Sequence, residues 1–189
     1  RLGLIIASEE IVNGLFGYGS FTQKDVEMTS SALNLFGYGV IAFALVKILA
    51  NFFFARDNTT TPFYISSFIV FLNVIISISF FNKIGFLIIP VATSVSTWIG
   101  VLIFLYLLIK NNHLSLQKKL FNNTIKILIS SSIMASLLFY ILNNYSSYFE
   151  YTYSLKSVYL LIIVGFAGTV YLLSCYLFGL LKIKTYKTN

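Results

Sequence analysis

The 189-residue sequence has little of what soluble enzymes are built from: one cysteine, one histidine, one tryptophan, two prolines and six acidic residues, with charged residues at only 10%. A lone Cys175 excludes a disulfide framework or a CxxC-type metal or redox site within the chain. The acidic residues and His113 are scattered, and no HExxH, GxSxG or Walker pattern occurs. No catalytic residue, metal ligand or cofactor is therefore assigned, and the chain is not read as an enzyme. The near absence of proline and charge leaves long apolar runs unbroken. Hydrophobic residues make up 58% and aromatics 17%, with a mean hydropathy of +0.86. Such values lie outside the range of soluble domains and indicate an all-α, polytopic integral membrane protein.

About six spans fit, over Leu2 to Phe16, Leu33 to Phe54, Phe63 to Phe81, Phe86 to Ile109, Thr124 to Leu142 and Val158 to Leu181. A helix of about 20 residues at 1.5 Å rise crosses the roughly 30 Å apolar layer. The first span is short and carries Glu9 and Glu10, which fits either the tail of a longer helix or the lining of a wet interior. Opening on Arg1 without a signal-peptide pattern, the chain is read as beginning inside a longer protein. Thr22 or Ser20 is placed to cap the second helix, Pro62 to open the third, and Pro90 to lie early in the fourth. The Tyr- and Ser-rich stretch from Asn143 to Lys156 suits a membrane interface.

The net charge of +7 is spread singly between apolar spans, a distribution that orients a membrane protein rather than binding nucleic acid. On one side fall Arg1, Arg56, Lys110, Lys118, Lys119, Lys182, Lys184 and Lys187; on the other, Lys24, Lys83 and Lys156. The basic-rich side is expected in the cytoplasm, together with the KNNHLSLQKK loop, its His113 and the C-terminus.

Polar chemistry concentrates on the second helix. Ser30, Asn34, Gly37, Ala44, Lys47 and Asn51 recur at steps of three, four or seven and are expected to form one stripe turned from lipid. Close helix packing and a water-filled path both account for such a stripe. Lys47, Asn51 and Asn34 are the candidates for a substrate path. Lys47 either snorkels toward the cytoplasmic interface or attracts a phosphate-bearing ligand. Arg56 and Asp57 are candidates for a cytoplasmic loop or gate. Ser66, Asn73 and Ser77 in the third helix, and Thr93, Thr97 and Gly100 in the fourth, read mainly as packing stripes.

Three stretches resemble a known family: LFGYGSFTQKD at Leu15 to Asp25, GYGVIAFALVKILANFFFARDNTTTP at Gly37 to Pro62, and PVATSVSTWIGVLIFLYLL at Pro90 to Leu108. In order and spacing they are similar to motifs of the MurJ (MviN) lipid II flippases of bacteria, within the multidrug, oligosaccharidyl-lipid and polysaccharide exporters. The resemblance covers about Arg1 to Leu108, and beyond Leu120 rests on the pattern of two more spans. It implies the C-terminal part of a carrier with fourteen spanning helices. Residues 1–119 would belong to the C-terminal transporter lobe, and 120–189 would form an extra pair of helices with a basic cytoplasmic tail. The implied work is movement of the undecaprenyl-pyrophosphate-linked peptidoglycan precursor, lipid II, across the bacterial cytoplasmic membrane by alternating access. Implied partners are that precursor, membrane lipids and preceding helices of the same protein. The alternatives are a related polysaccharide-lipid or multidrug exporter and a non-transporting membrane interaction subunit. Tyr18 stands where the family often has arginine, and the aspartate after its A-R-x falls on Asn58.

Overall fold

The computed structural model describes residues 2–111, 118–144 and 155–180. Seven α-helices carry them: α1 (Leu2–Ile6), α2 (Ser8–Phe16), α3 (Gln23–Phe54), α4 (Thr60–Ile84), α5 (Ile88–Lys110), α6 (Lys118–Asn144) and α7 (Lys156–Leu177). A single 3-10 turn, Gly85–Leu87, links α4 to α5, and no strand occurs among the described residues. Four stretches are long and apolar enough to cross a membrane: Gln23–Phe54, Thr60–Lys110, Asn122–Asn144 and Lys156–Leu177. The second of these, at 51 residues, supplies two spans, because Gly85 (φ 72) turns the chain so that α5 packs back along α4. With the apolar segment of α1 and α2, the all-α polytopic fold matches the sequence reading. His113, residues 145–154 of the Tyr-rich stretch and the basic tail from Lys182 lie outside the described residues.

Local chemistry sets the helix ends. Thr22 opens α3 in a capping box: its hydroxyl accepts from the Asp25 amide (3.3 Å), and the Asp25 carboxylate accepts from the Thr22 amide (2.8 Å). This cap starts α3 at Gln23, ten residues before the apolar run at Leu33. The other end closes in a Schellman motif, with the Asp57 amide donating to Phe54 and the Asn58 amide to Phe53. Asp57 takes the left-handed position of that motif (φ 55), normally filled by glycine. The Asn58 side chain then accepts from the Thr61 amide (3.0 Å), so consecutive residues end α3 and brace the start of α4. Pro62 and Pro90 occupy the first turns of α4 and α5, where a missing N–H costs little.

Packing divides into two clusters. In one, Ala42, Leu49 and Phe53 of α3 meet Ile65 of α4 and Val101, Phe104 and Leu108 of α5. In the other, Ala7 meets Leu138 and Leu142 of α6 and Leu160 and Ala167 of α7. Helix α5 lies between α3 and α4, which scarcely touch each other. Glycine permits both approaches: a Cβ at Gly39 would lie 2.7 Å from the Ser94 hydroxyl, and one at Gly100 would overlap the side chain of Ile69. Ser94 and Trp98 of α5 also donate to the Leu35 and Tyr38 carbonyls of α3. Since lipid tails are as apolar as these side chains, such close contact and hydrogen bonding hold the helices together.

Three substitutions check this account in the full-length protein by thermal unfolding in detergent. Gly100→Val should cost about 1–3 kcal/mol by forcing α4 from α5, whereas Gly165→Ala, which meets nothing within 4 Å, should cost nothing. Asp57→Gly should stabilise by up to about 1 kcal/mol through relief of the left-handed backbone.

Candidate functional site

The polar stripe of α3 does not remain one stripe. At about 100° per residue, steps of three and seven drift backward around the axis, so thirteen residues separate Asn34 and Lys47 by roughly 140°. The two halves consequently face different neighbours. In the first, Ser30 and Gly37 are buried, a Cβ on Gly37 would lie 2.8 Å from Ile5, and the Asn34 amide donates to the Ile5 carbonyl (2.8 Å) where α1 breaks off. Asn34 also borders a small cavity of about 420 Å³ shared with Ser8, Glu9, Ser30 and Ser31. Glu9 is exposed toward that cavity and Glu10 is half-buried, as adjacent helical residues pointing about 100° apart must differ.

In the second half, Lys47 and Asn51 are exposed along an open groove between α3 and α4, which Ala44, though exposed, does not line. One part of it, about 820 Å³, runs past Asn51, Phe54, Thr59 and Phe63. A second part, about 510 Å³, reaches Asn73, Thr93 and Thr97, and the two share Val46, Lys47 and Ser66. The groove exists because α3 and α4 both lean on α5, whose Thr93 and Thr97 help close its inner wall. Lys47 is the one charged side chain among the described residues lining it. An ammonium between apolar walls attracts an anion more strongly than one in open water. Deeper in, the Asn73 amide donates to the Thr93 hydroxyl (2.8 Å), Thr93 donates to the Ile89 carbonyl (2.7 Å), and Ser77 donates to Asn73 (3.3 Å). The Asn73–Thr93 bond and the close approach at Gly100 pack α4 on α5, the packing role the sequence led one to expect for these residues. The structure thus places Lys47 and Asn51 together and Asn34 apart from them.

Arg56 and Asp57 take capping positions. The Arg56 guanidinium donates to the Phe52 carbonyl (3.2 Å) and stacks 3.6 Å from the Phe52 ring centroid, turned back onto the end of its own helix. Asp57 forms the Schellman turn that follows. Among the described residues no group of histidine, cysteine and carboxylate side chains is arranged to hold a metal ion.

One polar centre was not anticipated. The sequence reading put Lys156 at the interface, yet it is fully buried. Its ammonium donates to the Asn13 side-chain oxygen (2.9 Å) and to the Gly17 carbonyl at the end of α2, 4.4 Å from the Tyr18 ring centroid. Next to it Ser157 donates to the Gly14 carbonyl and shares a hydrogen bond with the Tyr18 hydroxyl (2.7 Å). Asn13, Gly14 and Gly17 in an apolar stretch were the visible signal, but their partner lies about 140 positions away. Lys126 likewise turns inward, donating to the Phe178 carbonyl (2.9 Å) at the end of α7.

Comparison with known proteins now bears on this arrangement. The sequence profile described as Lipid II flippase MurJ matches residues 1–165. A probable lipid II flippase MurJ of Rickettsia prowazekii (strain Madrid E) is 31% identical over 177 residues, covering 90% of this chain and 35% of that protein. Another, from Buchnera aphidicola subsp. Schizaphis graminum (strain Sg), is 28% identical over 180 residues, 94% of this chain and 34% of that protein. A solved structure described as lipid II flippase MurJ in an inward closed conformation superposes with a TM-score of 0.73 at 28% identity, covering 94% of this chain and 34% of that one. The chain therefore spans about a third of the length of these relatives. With the profile covering most of its residues and the fold matching, the chain belongs to the lipid II flippase MurJ family.

Proposed function

We propose that the protein acts as part of a lipid II flippase, a carrier rather than an enzyme, moving the lipid-linked peptidoglycan precursor across the bacterial cytoplasmic membrane by alternating access. The observation that carries this reading, beyond family membership, is the open groove in which Lys47 and Asn51 stand exposed between apolar walls. Its chemistry suits an amphipathic anion: an ammonium for a phosphate, an amide and hydroxyls for polar groups, and aromatic and aliphatic walls for a lipid portion. Residues 1–119 are proposed as part of the C-terminal lobe and 120–189 as the appended pair of helices. Preceding helices of the same protein and membrane lipids are proposed to cover the apolar outer faces, of which that of α4 is the broadest. The count of basic residues supports a cytoplasmic position for the Arg56 loop, the Lys110 loop and the C-terminus.

In the full-length protein, Lys47→Ala should lower precursor transport about tenfold, the scale of one charge-assisted hydrogen bond, with membrane level unchanged. Lys47→Arg should retain more activity than alanine, and complete activity of Lys47→Ala would remove this residue from the substrate path. Single cysteines placed from Lys110 to Lys119 should react with an impermeant thiol reagent only from the cytoplasmic side; labelling from outside would reverse the proposed orientation.

A further inference from the structure

The small cavity between α2 and α3 has the opposite chemistry to the Lys47 groove. Ser8 and Glu9 of α2 and Ser30, Ser31, Asn34 and Leu35 of α3 line its space of about 420 Å³, close to where α3 enters its apolar run at Leu33. Glu9 carries the one charge on this lining, and among the described residues its carboxylate meets neither a cation nor a hydrogen-bond donor.

The other polar groups are left with oxygen to offer. The Ser30 and Ser31 hydroxyls both donate to the Glu27 carbonyl (3.0 and 2.8 Å), so each oxygen keeps lone pairs for another partner. Asn34 commits its amide nitrogen to the Ile5 carbonyl (2.8 Å), and its side-chain oxygen has no partner among the described residues. Ser8 borders the cavity, is only 8% exposed and makes no side-chain hydrogen bond among the described residues, so a buried hydroxyl there also awaits a partner. The break at Ala7 sets the end of α1 against the start of α2, where opposed dipole ends offset each other. A carboxylate among neutral oxygens attracts a hard cation. One carboxylate balances one positive charge, and a divalent ion would keep an unmatched charge beside an apolar run. Among the described residues no group of histidine, cysteine and carboxylate side chains is arranged for calcium or a transition metal. At about 30 Å³ per water, the cavity has room for a cation with several of its waters.

We propose that this cavity binds a partly hydrated alkali cation, sodium or potassium, with Glu9 as its charged ligand and Ser8, Ser30, Ser31 and Asn34 as neutral oxygen ligands. The cation bridges α2 to α3 and supplies the positive charge that no described side chain gives Glu9. It lies on the half of α3 that faces away from the Lys47 groove, so the two sites take ions of opposite sign.

Equilibrium binding of radiolabelled sodium, and of radiolabelled rubidium in place of potassium, to the purified full-length protein tests the site without a transport assay. The native protein should bind one of the two saturably, and which one it binds identifies the ion. Glu9→Gln should bind one ion fewer per molecule, and Ser31→Ala should keep that ion at about fivefold weaker affinity, the scale of one neutral oxygen contact. Binding of neither ion, or as many ions on Glu9→Gln as on the native protein, would overturn the site. Displacement by choline as effective as by unlabelled sodium would reveal a diffuse surface attraction and equally sink it. Should Glu9→Gln fail to fold, Ser31→Ala decides, because its side chain is exposed, and an unchanged affinity there would count against the site. None of these outcomes depends on what the protein transports.

Discussion

Helix ends whose last carbonyls need donors govern much of this structure. The last carbonyls of a helix have no intrahelical donor, and in an apolar medium an unmet one is costly. Here three basic residues meet that need: Lys156 at Gly17, Arg56 at Phe52 and Lys126 at Phe178. Each also places a cation at the negative end of a helix dipole. Backbone turns complete the work, with Asp57 and Gly179 in left-handed positions closing α3 and α7. Among the described residues, no buried side-chain nitrogen or oxygen lacks a partner.

From this follows a division between charges that build the protein and the one that faces its groove. Arg56, Lys126 and Lys156 are engaged with backbone carbonyls, whereas Lys47 projects into the groove from α3. Small residues produce the space around it. Gly39 and Gly100 draw α5 against both α3 and α4, and because α5 occupies the middle, its two neighbours are held apart. The groove is thus a consequence of close packing elsewhere, and the groove and helix association depend on the same glycines.

Much of the fold was legible because its signals are local. Apolar runs of spanning length, the Thr22 cap, the prolines at first turns and the glycine turn before α5 are each read within a few residues. The break between α1 and α2 at Ala7 was not legible, since alanine is a good helix former and the break is fitted by the Asn34 side chain reaching the Ile5 carbonyl from α3. The apolar run at Leu33 begins ten residues after the Thr22 cap, because hydropathy marks the bilayer part of a helix and not the capped polar turns that precede it.

For the candidate site, residue type and spacing alone picked out Lys47 and Asn51, since polar groups inside an apolar span are costly enough to mark a use. Grouping Asn34 with them followed from counting steps of three, four and seven as equivalent; over thirteen residues the mismatch with 3.6 per turn accumulates, and α3 presents two faces. The amino-acid sequence by itself determined the membrane class and the family, properties of local hydropathy and short motifs. Tertiary structure alone decided which lysine faces a groove and which cap helix ends, because the partners of Lys126 and Lys156 lie 52 and about 140 residues away. A charge reads the same in sequence whether it meets water, an anion or a distant carbonyl; only the packing of α2 against α7 and of α6 against α7 distinguishes them.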